Sequence, residues 1–242
     1  MINQNISVVI PAHNEEAFLG KCLASISSQN LPPHVAVETI VVLNRCTDNT
    51  EQVARSYGAT VLFNDSKNIS AIKNTGVAAA TTEWVVTIDA DSWMSPGVLA
   101  EVLRHAVAPD CLGGGIKIKP ERYSAGIAVG YSMMLVPAYF LGLSFGMYWF
   151  RKSDFDAIGG FSEDRHIAED VDFLKRLKQY GQKTGRRHVI ISATYITTSC
   201  RKFDQFGDWH FVRIFSNPFK VRKAIKGIDR KFLDKNWYDV ER

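Results

Sequence analysis

Asp89 and Asp91 flank one small residue, Ala90, directly after the run Trp84-Val85-Val86-Thr87-Ile88. Two carboxylates that close repel each other unless something positive stands between or beside them. Hard oxygen ligands of this kind suit Mg2+ or Mn2+, and Mg2+ is commonly held by one or two carboxylates together with substrate phosphates. A third carboxylate is marked by its helical phase. On a helix through 166–177, Asp170 shares a face with Phe173, Leu174 and Leu177, while Asp172 and Arg176 share another and can pair in solvent. Placing a carboxylate on the apolar side is costly unless it is paired or used. Asp170 is therefore a candidate general base, with a helix cap or a buried Arg partner as the alternative.

The elements that must position these groups can be read from periodicity. The five residues before Asp89 are apolar but for Thr87 and rich in β-branched side chains, as in a central parallel strand covered on both faces. Open α/β sheets place ligands at the carboxyl ends of such strands. A solvated turn is the plain alternative, because Ser95-Pro96 reads as the opening of the next helix, with Leu99, Val102, Leu103 and Ala106 inward. Upstream, strands are expected at 6–10, stopped by Pro11, at 39–43 and at 60–63. Helices between them carry Asn14 as a cap, a stripe of Leu19, Cys22, Leu23 and Ile26, a capping box Asp48-x-x-Glu51, and a segment from about 70 to 80. This alternation argues for a parallel sheet with right-handed crossovers.

From Gly113 the pattern changes. Gly113-Gly114-Gly115 reads as flexible backbone before an alternating strand over 116–119. The stretch 127–150 carries no charge, yet Gly130, Pro137, Gly142 and Gly146 interrupt it, which favours buried or membrane-grazing helices over a true span. The expected organisation is a single domain over 1–242. Residues 1–112 would form one half, holding the first ligand, and 113–242 a second half with a basic C-terminal tail, holding whatever meets that ligand.

Length and composition fit that scheme. The 242 residues are 46% hydrophobic and 22% charged, ordinary for a soluble domain with a sizeable core. A net charge of +4 is too mild to indicate nucleic acid. Arg213, Lys220, Arg222, Lys223, Lys226, Arg230 and Lys231 are interleaved with Phe and Ile, a pattern that fits either an anionic membrane surface or a solvated helix face. Cys22, Cys46, Cys111 and Cys200 lack metal or disulfide spacing, which suits a reducing cytosol, and no signal-peptide pattern precedes the first strand.

The ordered set of motifs resembles the family-2 glycosyltransferases with the GT-A fold, a Rossmann-like, mostly parallel α/β sheet with helices on both faces. Val8-Val9-Ile10-Pro11-Ala12-His13-Asn14-Glu15-Glu16 resembles the start of that family, and Thr47-Asp48-Asn49-Thr50 the segment after its second strand. Asp89-Ala90-Asp91 resembles its Asp-x-Asp motif. Gly159-Gly160-Phe161 and Glu169-Asp170 resemble its acceptor loop and Glu-Asp pair.

The resemblance implies transfer of a hexose-like sugar from a nucleotide-diphosphate sugar to a glycan, lipid-linked or small-molecule acceptor, with inversion and with Mn2+ or Mg2+. Pro11, Ala12 and His13 would line the nucleoside pocket, with Glu15 and Ala90 in the same donor site. Asp89 would face the ribose or the metal shell, Asp91 would hold the ion, and Asp170 would be the base. Lys73 stands where relatives often carry an Arg, so a bidentate fork is replaced by a point charge. Leu43-Asn44 replaces a frequent pair of Asp residues, and Asn44 can both accept from and donate to a nucleobase. Ser199-x-Arg201-Lys202 offers charge for the diphosphate or lies on the surface. His166 and His210 are further metal or acceptor candidates, or ordinary histidines. A nucleotidyltransferase is disfavoured because Pro11-Ala12-His13-Asn14 is not a Gly-rich phosphate loop. An inactive membrane-associated nucleotide-sugar-binding module remains the alternative of another class.

Overall fold

The computed structural model describes residues 5–164 and 169–216. Thus His166 and the basic tail beyond 216 lie outside the described residues. The strands are β1 (Ile6–Ala12), β2 (Val37–Leu43), β3 (Thr60–Phe63), β4 (Trp84–Ile88), β5 (Ser92–Met94), β6 (Cys111–Pro120), β7 (Met147–Arg151) and β8 (Arg187–Thr198). They form one sheet in the order β3-β2-β1-β4-β7-β6-β8-β5. β1 pairs in parallel with β2 and β4, β2 with β3, and β6 with β8, whereas β7 runs antiparallel to both β4 and β6. The helices are α1 (Leu19–Ser27), α2 (Thr50–Ser56), α3 (Ile69–Ala79), α4 (Val98–Ala106), α5 (Ala125–Leu141), α6 (Lys152–Ala157), α7 (Glu169–Thr184), α8 (Arg201–Phe206) and α9 (His210–Phe215).

Alternation along the strands feeds two cores. Ile6, Val8 and Ile10 of β1 pack with the α1 stripe Leu19, Cys22, Leu23 and Ile26 and with the inward residues of α4. Val9 and Val42 face the other way, onto Ile72 and Val77 of α3 and Phe173, Leu174 and Leu177 of α7. The strand ending in Ile88 is buried throughout, as a doubly covered strand must be.

Several expectations are corrected. β1 does not stop at Pro11. Ala12 O accepts from Asn44 N on the β2 side, so Pro11 faces the other edge, where pairing with β4 ends at Val9. The missing N–H therefore breaks no ladder bond. Asn14 does not cap α1; with φ at 51° its side chain accepts from Thr47 N instead. The expected capping box does not form: Asp48 accepts from Thr50 N, two residues on, the N-cap position of α2 is Asn49, and Glu51 pairs with Arg55. α4 starts at Val98 rather than at Ser95-Pro96, and the short β5 that precedes it was not anticipated.

The three glycines from 113 are not a flexible lead-in but part of β6. A Cβ on Gly114 would lie 1.8 Å from Val189 O, and one on Gly115 1.6 Å from Ser144 Oγ. The uncharged stretch splits into the single helix α5 and the central strand β7, and α5 continues through Gly130 and Pro137 to Gly142 at φ 62°. Gly126 and Gly130 admit the segment before and within α9, where a Cβ would stand 2.8 Å from Asp208 and 2.9 Å from Phe211. Among the described residues no helix is long and apolar enough to cross a membrane.

Candidate active site

β4 delivers Asp89 to the carboxyl end of the sheet, and a turn closed by Ser92 N donating to Asp89 O carries the chain past Ala90 and Asp91. β5 then pairs antiparallel with the end of β8, Ser92 opposite Thr198. That pairing brings Ser199 and Arg201 onto Asp91. Ser199 Oγ donates to Asp91 Oδ2 at 3.0 Å, and Arg201 Nη2 lies 3.0 Å from the same oxygen. Arg201 also grips Glu15 bidentately, at 2.8 and 2.9 Å, with Glu15 buried. Burial works against the Arg201 charge, but Asp91 and Glu15 outweigh it and raise its pKa. Of the pair raised from sequence, Arg201 belongs to the site.

A second cationic centre faces Asp89 from the other side. Lys73 of α3, 5% exposed, pairs with Glu169 at 3.2 Å. Burial opposes its charge, while Glu169, Asp89 and Asp170 together hold it protonated. Asp89 itself is pushed up to about 6, first by burial and then by Asp91, Glu169 and Asp170, against the pull of Lys73. Asp89, Asp91, Glu169 and Asp170 thus share a poorly hydrated space with Lys73, in which each charge is felt strongly.

Asp170 sits at the start of α7 beside Phe173, Leu174 and Leu177, all fully buried, as its helical phase required. The Tyr148 hydroxyl, on β7, donates to Asp170 Oδ2 at 2.8 Å. Burial and the neighbouring Glu169 raise the Asp170 pKa, while Lys73 and the Tyr148 hydrogen bond restrain it. The result is a carboxylate that is more basic than usual yet still stabilised as an anion. Tyr148 lies inside the uncharged stretch, and no local pattern marked it.

The pair Asp172–Arg176 forms at 2.7 Å but is not a solvent pair, since its side chains are only 18% and 27% exposed. Arg176 also donates to Ile158 O and Gly160 O and so clamps the Gly159-Gly160-Phe161 loop to α7. Asn74 holds the same loop from α3 through Phe161 N and O. Gly160 has φ 65°, and a Cβ there would meet Phe155 at 2.9 Å. Phe161 stacks at 4.4 Å on Phe173, three residues from Asp170.

The loops after β1 and β2 are locked together. Glu16 N donates to Asp48, Asn49 N to Glu16, Thr47 N to Asn14, and Glu15 N to Thr50 Oγ1. His13 Nδ1 lies 2.5 Å from Asn44 O. Asn44 is 4% exposed and does not stand ready to read a base. Its amide donates to Asn64 O and Ser66 O, and its Oδ1 accepts from Arg45. His210 is buried in a stack on Phe206.

Among the described residues no group of three or more His, Cys, Asp or Glu forms a closed metal cage. Asp89 and Asp91 would offer carboxylate oxygens of the kind a hard divalent ion takes.

Comparison with solved structures defines the fold. The chain shares the GT-A glycosyltransferase fold with Staphylococcus aureus TarS (TM-score 0.65, 17% identity, 87% of this chain and 39% of that one). It shares it also with the Pyrobaculum calidifontis mannosyltransferase PcManGT in complex with GDP-Man and Mn2+ (TM-score 0.63, 18% identity, 79% and 56%). The sequence profile of glycosyl transferase family 2 matches residues 7–160, and the chain belongs to that family. Among relatives, 4,4'-diaponeurosporenoate glycosyltransferase of S. aureus strain USA300 is 31% identical over 186 residues, 68% of this chain and 48% of that protein. Glycosyltransferase GlyA of Streptococcus pneumoniae serotype 4 is 25% identical over 210 residues, 85% of this chain and 26% of that protein. The chain thus spans between about a quarter and a half of the length of these relatives.

Proposed function

We propose that this chain transfers a hexose-like sugar from a nucleotide-diphosphate sugar to an acceptor hydroxyl, in one displacement that inverts the anomeric carbon. The observation that carries this reading is Asp170, half-buried, hydrogen-bonded by Tyr148, and sharing its charged space with Lys73 and the Asp89–Asp91 turn. Asp170 takes the proton of the acceptor hydroxyl as its oxygen bonds to the anomeric carbon. On the opposite side the bond to the diphosphate oxygen breaks, and the nucleoside diphosphate leaves. Lys73 and Arg201 supply positive charge near the developing phosphate charge. Mn2+ or Mg2+ held by Asp89 and Asp91 would neutralise part of that charge.

Pro11, Ala12 and His13 line the nucleoside, Ala90 keeps the Asp89–Asp91 turn small, and Glu15 acts by holding Arg201. Asn44 shapes the base pocket through the loop it ties. Solved neighbours carry UDP-GlcNAc and GDP-Man, which makes these the first donors to test. Residues 1–112 form the donor half and 113–242 the acceptor half, receiving a glycan, lipid-linked or small-molecule acceptor in glycan biosynthesis. Four free thiols support a cytoplasmic location. The exposed Tyr139, Phe140 and Leu141 at the end of α5, with the basic tail, support peripheral contact with the membrane. The test is donor turnover with UDP-GlcNAc and GDP-Man, with and without Mn2+, followed by an acceptor screen and NMR of the product. An inverted product in the presence of the ion is expected, and a retained configuration would sink the single displacement. Metal-dependent donor binding without any turnover would favour the inactive binding module.

A further inference from the structure

A cavity of about 550 Å³ lies between the outer end of β6 and one side of α5. Its α5 wall recurs at helical spacing through Ser132, Val136 and Tyr139, over about 18 Å at 1.5 Å per residue from its first lining residue to its last. Tyr123, Val136, Tyr139 and Phe140 are 67, 53, 75 and 82% exposed among the described residues. The opposite wall carries Lys117 and Lys119, the latter with its ammonium 3.5 Å over the Tyr195 ring, and no carboxylate is among the lining residues. At the inner end Gly146 separates the cavity from Asp89. The position a Cβ would take on Gly146 is 3.4 Å from Ile118, which lines the cavity, and 3.8 Å from Asp89 Oδ2. Tyr131, another lining residue, is close enough for the Asp91 charge to help raise its phenol pKa, after burial as the main cause.

We propose that this groove is the acceptor site, and that it takes an amphiphile with an apolar chain and an anionic group. The inference rests on the transferase reading and names its acceptor class. An apolar wall this exposed is unfavourable in water unless an apolar body covers it. Two lysines without a neighbouring lining carboxylate complement an anion. The volume falls within the range of small-molecule sites, and the inner lining residues Ile118 and Tyr131 lie towards the Asp89–Asp91 turn.

The test uses dodecanoate, methyl dodecanoate and butanoate, each below its aggregation concentration, with binding to the full chain read by calorimetry. UDP binding with Mn2+ is measured on the same preparations. Dodecanoate is expected to bind at least about tenfold more tightly than its methyl ester, and butanoate not measurably. Val136→Asp, on an exposed position that leaves the fold intact, is expected to weaken dodecanoate by about tenfold or more. Lys117→Ala combined with Lys119→Ala is expected to erase the difference between acid and ester. UDP affinity should not change in either variant. Dodecanoate binding that is absent, or indifferent to both variants, would overturn the groove. So would binding only to anionic phosphatidylglycerol vesicles, which would make the α5 face a bilayer contact. A parent chain that binds no UDP would instead sink the transferase reading, whatever dodecanoate does.

Discussion

Asp170 is the residue on which turnover is expected to hang. Asp170→Asn keeps the shape and the Tyr148 contact but cannot take a proton. The transfer rate is expected to drop by about 10²–10⁴-fold, with donor affinity kept within about threefold, under ~1 kcal/mol. Single-turnover rates and calorimetry separate the two, and a near-parent rate would remove the base assignment. Asp91 behaves differently because it lies at a strand end and already carries Ser199 and Arg201 on one oxygen. Asp91→Asn is expected to weaken donor binding chiefly when Mn2+ or Mg2+ is present. Equal metal-dependent affinity in variant and parent would show that the ion is held elsewhere. At Asn44 the structure shifts the expectation. Since its amide is committed to Asn64 O and Ser66 O, Asn44→Ala should cost about 1–3 kcal/mol of stability and leave the ranking of UDP, GDP and ADP unchanged. A changed ranking would return Asn44 to the role of base reader.

At the scale of elements, the site depends on how closely β6, α6, α7 and β8 are held. Asp154 of α6 is 3% exposed and pairs at 2.6 Å with Arg186, which also donates to Cys111 O at the start of β6. One buried pair thus ties three elements together. Removing one partner leaves a poorly hydrated charge uncompensated, so Asp154→Ala is expected to cost about 3–5 kcal/mol in a denaturant titration. β6 is equally intolerant for a steric reason. Gly114→Ala puts a methyl group against Val189 O, and the strands must part to admit it. Phe150, Phe155, Phe161 and Phe173 interlock ring to ring, which fixes the start of α7 and hence Asp170 relative to the sheet.

For the whole molecule, His188 on β8 couples stability to pH. Burial, and then the nearby Lys178, push its pKa down to about 4, and its Nε2 has no hydrogen-bond partner among the described residues. The folded chain therefore keeps this imidazole neutral, while the unfolded chain takes up a proton near pH 6.5. Stability from this group is complete above about 6.5 and is lost as pH falls towards 4, by up to about 3 kcal/mol. His188→Gln should flatten that part of the stability profile, and an unchanged acid limb would discount His188. Membrane contact is also a property of the whole surface. Co-sedimentation with anionic vesicles that falls with salt is expected if the α5 end and the basic tail both engage the bilayer.

The sequence by itself determined what depends on short range. Strand β4 with its two carboxylates, the α1 and α4 stripes, β3, and the apolar phase of Asp170 all follow from side-chain period over fewer than a dozen residues. The order of motifs was enough to mark the family. Only the tertiary structure decided what meets those residues. Ser199 and Arg201 reach Asp91 because the three-residue β5 pairs with the far end of β8, and a strand that short has no period of its own to read. Tyr148 reaches Asp170 because the aromatic second part of an uncharged stretch is placed in the middle of the sheet by pairing with β4 and β6, partners far away in sequence. Asn44 became a scaffold, and Gly113-Gly114-Gly115 became strand, for the same reason. A side chain's type limits what it can bind, but the backbone that passes within reach of it, here from tens of residues away, selects what it does bind.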